Sequence, residues 1–336
     1  MASNLLANRL IGIDLGVVST RFGIVNSDGE VHDKWSIPTD TSDRGAHIIP
    51  DIVSAINQRL ILLDLDKSEF IGIGMSLPGT VDVKKSTVRA AYNLNWAETQ
   101  QVGTEISAGV ELPFVLDNDA NVAALGERWM GAGKGCSDIV YMMLDSGVGG
   151  GIIAGSKIVH GMNGAGGEIG HICVEPTDGL ECTCGKHGCL ETVVSKDGIM
   201  RIASQMAQDA TGESSVIAKR IQADESVVFA ELVEAAQMGD AFSSSVIDRF
   251  AYYIGFTCAN VGVVLNPDLF IIGGYITEYG DFLLDRIRSY FHKYAFSSID
   301  EATRIEYATL GEDAKIIGAA NLAIQLKRKM ALQNLR

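Results

Sequence analysis

The chain has little positive charge and no long apolar run, and both shortages exclude classes of function. It carries 27 Lys and Arg against 42 Asp and Glu, a formal net charge of -15. This balance repels polyphosphate backbones and disfavours nucleic-acid binding, with a short basic cluster at 327–329 as the local exception. The longest apolar tract, 251–265, is too short to span a bilayer and is interrupted by Thr257 and Asn260. We therefore expect neither a nucleic-acid nor a membrane partner.

The cysteines are too scattered for a disulfide framework. Six occur in 336 residues, and three of them, Cys182, Cys184 and Cys189, form a tight group. The start of the sequence lacks the charged-then-apolar order of a secretory signal. In a large chain of this kind, such a group is more typical of metal binding than of disulfides, and we expect a cytoplasmic protein.

Length and hydrophobic content favour two lobes over one continuous core. The chain of 336 residues is 47% hydrophobic, which predicts a two-domain α/β enzyme. Apolar periodicity predicts helices at 41–64, 120–130, 195–211, 227–238, 241–265, 281–294 and 314–330, and strands at 10–16, 20–25, 31–37, 70–75, 113–116, 139–144, 269–274 and 304–310.

Two predicted hairpins share one pattern, namely a strand, Asp-x-Gly, small residues and a returning strand. The first contains Asp14 and Gly16, and the second contains Asp145 and Gly147. The repeat suggests a duplicated fold whose halves face each other across a cleft, with the phosphates of a nucleotide between the two hairpins.

The groups that would bind phosphate are backbone N–H groups and a hydroxyl. Those of Gly16 to Ser19 and the Thr20 side chain are suited to an anion, with Asp14 near a hydrated magnesium ion. In the second hairpin, four glycines in five residues cannot contribute to a core, which favours close backbone approach to a ligand; they are Gly147, Gly149, Gly150 and Gly151. A purely structural hairpin is the alternative.

Polar residues follow two of the predicted strands. Gly79 comes after one strand and a proline, and Asn118 and Asp119 come after another, just before a predicted helix. Ligands of open α/β sheets bind at the carboxyl ends of strands. A carboxylate there is suited to accept the proton of an attacking hydroxyl, while an amide fixes that hydroxyl. A helix N-cap is the alternative for Asn118 or Asp119, and a plain loop is the alternative for Gly79.

The amides around Asn95 suit a hydroxyl-rich ligand, although Asn is also an ordinary turn residue. The strongest pattern is one histidine and three cysteines within about twenty residues, bracketed by Glu168 and Glu191; they are His171, Cys182, Cys184 and Cys189. Imidazole and thiolates are the ligands of a closed tetrahedral zinc site, and four protein ligands indicate a structural role. Redox-active or incidental thiols are the alternative.

Together these motifs resemble the ROK family (repressor, open reading frame, kinase), and most of all its bacterial glucokinases. The resemblance extends from Asp14 to Gly318 and rests on both hairpins, Pro78 with Gly79, Asn95, Asn118 with Asp119, Glu168 with His171, the cysteines with Glu191, and Gly273 with Gly274. It implies a two-lobed actin-like ATPase (ribonuclease H-like) fold, with duplicated mixed β-sheets flanked by helices. Residues 1–119 with 315–336 would form the smaller lobe, and 120–314 the larger lobe with the zinc loop.

The resemblance also implies an activity, the ATP-dependent phosphorylation of the 6-hydroxyl of glucose with Mg²⁺. Asp119 would be the general base, and Asn118 would hold neighbouring hydroxyls. Glu168, His171 and Glu191 would contact the anomeric side of the sugar, with further contacts from Gly79 and Asn95. Nucleotide contacts would come from the two hairpins and from the strand-end glycines Gly273 and Gly274, for which a plain turn is the alternative. Zn²⁺ would be structural, with His171 serving both the metal and the sugar.

Three alternatives remain open at this stage. Another hexose, such as fructose, mannose, allose or an N-acetylhexosamine, would fit the same motifs. A sugar-responsive transcriptional regulator of the family would carry a helix-turn-helix before its first lobe, and we expect none here because about eight residues precede the first strand. A non-catalytic ATPase module is disfavoured by the zinc-and-glutamate group. The resemblance further implies a homodimer or a dimer of dimers.

Overall fold

The structure, a computed structural model, describes residues 7–209 and 215–333. These residues form two compact units. The first comprises 7–135, 158–166 and 309–333, and the second comprises 136–157, 167–209 and 215–308. The predicted division into lobes of 1–119 with 315–336 and of 120–314 stays a prediction.

Strands and helices are numbered along the chain. The strands are β1 (Arg9–Leu15), β2 (Ser19–Asn26), β3 (Val31–Pro38), β4 (Phe70–Leu77), β5 (Thr80–Asp82), β6 (Thr87–Arg89), β7 (Phe114–Asn118), β8 (Ile139–Leu144), β9 (Val148–Ala154), β10 (Lys157–Ile158), β11 (Leu269–Gly274) and β12 (Arg304–Tyr307). The helices are α1 (Ser42–Gly45), α2 (Ile48–Leu62), α3 (Val102–Val110), α4 (Asp119–Met130), α5 (Glu191–Val194), α6 (Lys196–Asp209), α7 (Val216–Gln222), α8 (Phe229–Gln237), α9 (Ala241–Leu265), α10 (Gly280–Tyr294), α11 (Ser297–Ala302) and α12 (Asp313–Gln333).

The two main sheets have the same strand arrangement. In the first unit the order is β3-β2-β1-β4-β7, and in the second it is β10-β9-β8-β11-β12. Each centres on an antiparallel hairpin, β1 with β2 or β8 with β9, which continues into two parallel strands. The predicted duplication of mixed sheets is therefore confirmed.

Helices cover both faces of the first sheet because the side chains of its strands alternate. Along β1, Ile11 and Ile13 pack with the apolar side chains of α2 and α3, whereas Leu10 packs with Ile316 and Ala320 of α12. This period of two is expected of a strand buried on both faces.

Glycines allow α12 to approach that sheet closely. Gly23, Gly12 and Gly74 lie side by side on β2, β1 and β4. A Cβ on Gly12 would lie 2.1 Å from the carbonyl oxygen of Ile316, and one on Gly74 would lie 1.7 Å from that of Ala319. The helix therefore rests on a strip of bare backbone. Gly318 likewise allows α12 to pack closely against α4, since a Cβ there would lie 1.9 Å from the carbonyl oxygen of Val122.

Several predicted boundaries need correction. The helix predicted for 41–64 is broken, because Asp43 and Arg44 have positive φ angles, and regular helix begins only at Ile48. The strand predicted for 304–310 ends at Tyr307. The helix predicted for 195–211 is observed to Asp209, and its last two residues lie outside the described part. Helices α3, α5, α7 and α11 and the small β5–β6 pair lie outside the predicted elements.

Among the residues that the structure describes, no helix combines the length and the apolar character needed to cross a membrane.

The glycine strip gives a stability prediction. Gly74→Ala places a methyl group against the backbone of α12, and overpacking of this kind costs about 1–3 kcal/mol. We expect the free energy of unfolding, measured by urea denaturation, to fall by at least that amount. Ser36→Ala, on the exposed side of β3, is the matched control. An unchanged midpoint for Gly74→Ala would contradict the close contact.

Candidate functional site

Polar side chains gather where three parallel strands of the first sheet end. Asp14 on β1 is in register with Ser76 on β4, and Ser76 with Asp117 on β7. The Ser76 hydroxyl donates to Asp14 Oδ1 at 3.2 Å. Because the carboxyl ends of parallel strands meet at one edge, residues far apart in sequence form a continuous polar row. Asn118 and Asp119 extend this row into α4.

Asp119 is the first residue of α4, and Asn118 is its N-cap. Asn118 Oδ1 accepts a hydrogen bond from the backbone N–H of Ala120 at 3.0 Å, and Asp119 Oδ1 accepts from the same group at 2.9 Å. The N-cap role considered for Asn118 is thus observed. The same Asn118 donates from Nδ2 to the Gly79 carbonyl at 3.5 Å, a distance at the weak limit of a hydrogen bond.

The surroundings of the Asp119 carboxyl group raise its pKa. Burial raises its pKa above the ordinary aspartate value, the charge of nearby Lys315 opposes that rise, and the charge of Asp14 adds to it. About a quarter of the side chain is still exposed. A reachable carboxylate with a raised pKa is suited to general-base chemistry.

Asp14 is buried and already paired. Its Oδ2 accepts from Arg21 at 2.6 Å and 3.2 Å, in addition to the Ser76 contact on Oδ1. Arg21 also pairs with Glu312. Both carboxylate oxygens of Asp14 already accept hydrogen bonds and the residue is 3% exposed, so the residues present fit contact with a hydrated ion better than direct ligation. The predicted place of Asp14 near magnesium stays a prediction.

The turn between β1 and β2 is held by its own backbone. The Gly16 N–H donates to the Ser19 carbonyl at 3.1 Å. Thr20 is 1% exposed, and its hydroxyl is hydrogen-bonded to the Thr39 hydroxyl. The side chains at its tip, Val17 and Val18, are exposed and apolar. The structure thus explains Gly16 and Thr20 through the turn, and the proposed phosphate contacts of Gly16, Ser19 and Thr20 are left as predictions.

Gly79 and Asn95 both have positive φ angles. Gly79 has φ +104, and a Cβ there would lie 2.9 Å from that of Ala91. Asn95 has φ 58 and is exposed, and its Nδ2 donates to the Thr41 carbonyl at 2.9 Å. The local backbone conformation therefore accounts for both residues, and their contacts with the sugar remain predictions.

Sequence reasoning missed two residues of the first unit. His160 Nε2 lies 2.6 Å from Asp117 Oδ2, and this hydrogen bond raises the pKa of His160. Lys315 Nζ lies 3.6 Å from Asp119 Oδ2 and 3.9 Å from Asp14 Oδ1. Both contacts join segments distant in sequence, and neither residue stands in a motif.

In the second unit, the glycines predicted to bind the nucleotide are in close contact with other protein atoms. A Cβ on Gly147 would lie 2.7 Å from Glu191 Oε2, one on Gly150 2.2 Å from the Gly167 carbonyl, and one on Gly274 1.8 Å from the Leu144 carbonyl. Gly273 is restricted in the same way by Tyr141, and Gly149 pairs with Met143 in the β8–β9 ladder. Asp145 forms an ion pair with Lys196 at 2.5 Å. Close packing accounts for most of these glycines, so their nucleotide contacts are still predictions.

The structure brings together the four predicted metal ligands. The ligand atoms of His171, Cys182, Cys184 and Cys189 all lie within 4.8 Å of one another. His171 Nδ1 is 3.6 Å from Cys182 Sγ, and Cys184 Sγ is 3.7 Å from Cys189 Sγ. Zn–S bonds of about 2.3 Å and Zn–N bonds of about 2.0 Å at tetrahedral angles separate ligand atoms by roughly 3.5–3.8 Å. The donor set and its spacing therefore fit a tetrahedral metal ion.

The pKa values of two thiols of the cluster shift in opposite directions. A backbone hydrogen bond from Lys186 is the largest cause that lowers the pKa of Cys184. Burial and the two neighbouring thiols raise the pKa of Cys189 to about 12. The cluster by itself thus keeps a proton on that sulfur, whereas a divalent cation stabilises the thiolate form.

The two glutamates that bracket the cluster differ in their surroundings. Glu168 is exposed, and no side-chain hydrogen bond to another residue of 7–209 or 215–333 engages its carboxylate. Glu191 Oε2 accepts from the Val148 N–H at 3.0 Å, and Oε1 accepts from the Thr183 hydroxyl at 3.0 Å. Glu191 therefore ties the cluster to the β8–β9 hairpin, while Glu168 is available to a ligand.

Comparison with known proteins finds similar sequences and structures along nearly the whole chain. The sequence profile of the ROK family matches residues 10–326. A glucokinase from Halalkalibacterium halodurans is 40% identical over 333 residues, covering 96% of this chain and 97% of the relative. A crystal structure of a ROK family glucokinase from Streptomyces griseus, in complex with glucose and AMPPNP, is 32% identical with a TM-score of 0.73, covering 94% of this chain and 99% of that one. A xylose repressor from Caldicellulosiruptor bescii is 26% identical, covering 94% of this chain and 78% of the repressor.

The metal cluster can be tested directly. Cys184→Ser removes one of four ligands, and we expect the purified protein to lose most of its bound zinc and to melt at a lower temperature. Zinc is measured by mass spectrometry of the metal and melting by circular dichroism. Cys173→Ser is the matched control, because Cys173 lies in the same loop but outside the ligand set. Equal zinc content in the two variants would rule out the cluster as the metal site.

Proposed function

The chain belongs to the ROK family, and we propose that it is a glucokinase, which transfers the γ-phosphoryl group of ATP to the 6-hydroxyl of glucose. The observation that carries the proposal is Asp119, a partly exposed carboxylate of raised pKa at an edge where three parallel strands end. Similarity to glucokinases along nearly the whole chain supports the same reaction.

In the proposed reaction, the oxygen of the 6-hydroxyl attacks the γ-phosphorus. The hydroxyl proton goes to Asp119, a new P–O bond to the sugar forms, and the bond between the γ-phosphorus and the bridging oxygen breaks to release ADP. Phosphoryl transfer depends on positioning and charge neutralisation more than on covalent chemistry. The magnesium ion that accompanies ATP would supply part of that neutralisation.

Asn118 would orient the sugar beside the base. Within the described part of the chain, its Nδ2 contacts only the Gly79 carbonyl, at 3.5 Å, so little is lost when the amide turns to a hydroxyl group. Its Oδ1 still caps α4. The same residue can therefore fix both the helix start and a substrate hydroxyl.

In the second unit, we propose that Glu168 and His171 hydrogen-bond sugar hydroxyls. The Glu168 carboxylate is exposed and acceptor-only, which suits a hydroxyl donor. Nδ1 is the His171 ring nitrogen beside Cys182, which leaves Nε2 to face a hydroxyl. A zinc ion bound at the cluster would fix the tautomer of this imidazole and hold the loop. Glu191 has two acceptor oxygens already in use, and a sugar contact would use its remaining lone pairs.

The main competing functions are another hexose substrate and a sugar-responsive regulator. Epimers differ by a single hydroxyl, and the similarity to a xylose repressor shows that regulators share this sequence pattern. The decisive experiment is a coupled ADP-release assay on the purified chain with glucose, fructose, mannose, allose and N-acetylhexosamines. We expect the highest kcat/KM with glucose; sugar binding without ADP release would favour a regulator. A cytoplasmic location and a homodimer or dimer of dimers remain predictions.

The role of Asp119 gives a sharp prediction. Asp119→Asn keeps the size of the side chain but removes the proton acceptor, and general-base help typically contributes about 10²–10⁴-fold. We expect kcat for glucose to fall by at least roughly 100-fold while calorimetry still detects glucose binding. Asp51→Asn, on the exposed face of α2, serves as the control. Near-normal turnover of Asp119→Asn would remove this residue from the reaction.

A further inference from the structure

Lys315 occupies a position that the proposed roles do not explain. It lies in the first turn of α12, and its ammonium is 3.6 Å from Asp119 Oδ2 and 3.9 Å from Asp14 Oδ1. The side chain is 22% exposed, so the charge is mostly withdrawn from water. A lysine in this setting is expected to have a partner that compensates it.

Neither Asp14 nor Asp119 forms a short hydrogen bond with the Lys315 ammonium. Charge-assisted N–H···O bonds are about 2.7–2.9 Å long, and both Lys315 distances are longer. Asp14 has its own cation, because Arg21 donates to it at 2.6 Å and 3.2 Å. Lys315 is therefore not needed to neutralise Asp14, and it retains donor capacity beside the carboxylate that we assign as the base.

The β1–β2 turn does not supply another cation. Its tip carries the apolar Val17 and Val18, and Arg21 is shared between Asp14 and Glu312. Among residues 7–209 and 215–333, the cations within 4 Å of Asp14 or Asp119 are Arg21 and Lys315. Of these two, Lys315 is the one that contacts Asp119.

We propose that Lys315 is a further catalytic residue, whose ammonium leaves the Asp14 and Asp119 carboxylates to bind oxygens of the phosphoryl group during transfer. The inference rests on the proposed kinase function. An attacking hydroxyl lies about 2.6–3.2 Å from its general base, so the phosphorus it attacks comes within reach of a flexible lysine 3.6 Å from that base. Lys315 keeps its proton throughout and supplies positive charge only, while the proton of the hydroxyl goes to Asp119.

Alternatively, Lys315 would only adjust the pKa of Asp119 without contacting the phosphoryl group. The dependence of kcat/KM on pH distinguishes these two roles. The groups that face Asp119 are Lys315 on α12, Asp14 on β1 and the Ala120 N–H on α4. Lys315 lowers the pKa of Asp119, so its removal raises that pKa further. Since the base must be ionised, the acid limb of kcat/KM then moves to higher pH. Tuning alone would leave the plateau above that limb unchanged.

The experiment compares Lys315→Met and Lys315→Arg with Lys34→Met in the glucose-dependent ADP-release assay. Lys34 pairs with Asp313 at the start of the same helix but lies on the surface, which makes it the matched control. Loss of one preorganised charge contact typically lowers kcat about 10²–10³-fold. We expect a loss of about that size on the plateau for Lys315→Met, with glucose affinity unchanged, partial recovery in Lys315→Arg and normal rates in Lys34→Met.

Two results would overturn the inference: a shifted acid limb with a normal plateau, or an unchanged profile. If wild type and Lys34→Met both fail to release ADP with any hexose, the proposed function fails instead, so the two failures are distinguishable. Melting temperatures report whether each variant folds. If Lys315→Met does not fold, Lys315→Gln, which keeps a polar tip, takes its place with the same expected loss.

Discussion

Direct backbone contact between α12 and the first sheet sets the geometry of the proposed base. Gly12, Gly23 and Gly74 form a strip without side chains on three adjacent strands, and the carbonyl groups of Ile316 and Ala319 lie directly over it. A second close contact joins α12 to α4 through Gly126 and Gly318. Any side chain in these places would push α12 outward and carry Lys315 away from Asp119. The distance between ammonium and base thus follows from glycines that touch neither group.

A buried carboxylate joins the carboxyl end of α4 to the start of α12. Glu127, on α4, is 0% exposed and accepts from the backbone N–H groups of Thr309, Leu310 and Ala132. It therefore holds both the chain that enters α12 and the chain that leaves α4. Asp117 and Asp14 are likewise satisfied, by His160 and by Arg21 with Ser76. Among the residues that the structure describes, Asp119 accepts from one backbone N–H and lies farther from the Lys315 ammonium, so burial raises its pKa with little compensation.

The fold and the local motifs could be predicted from the sequence because their signals are short-range. The apolar run of β1, the Asp-x-Gly hairpins and the clustered Cys182, Cys184 and Cys189 are each visible within about twenty residues. Two contacts join segments that are distant in sequence, namely His160 with Asp117 and Lys315 with Asp119. No sequence motif predicts either contact. Some glycines gave a misleading signal, since a Cβ at 147, 150, 273 or 274 would lie within 3.0 Å of a neighbouring protein atom. A glycine that lets the backbone approach a ligand cannot be distinguished, from sequence alone, from a glycine that lets it approach another part of the protein.

Glu191 connects the cluster of three cysteines and His171 to the glycine hairpin of the second unit. One carboxylate oxygen accepts from Thr183, between two of the cysteines, and the other accepts from the N–H of Val148, at the start of β9. Gly147 approaches the same carboxylate so closely that a Cβ would lie 2.7 Å from it. A shift of the cysteine loop therefore moves Glu191, and Glu191 cannot move without disturbing the hairpin. A structural metal at this cluster would thus order two segments at once, the loop that carries Glu168 and His171 and the turn that carries Asp145.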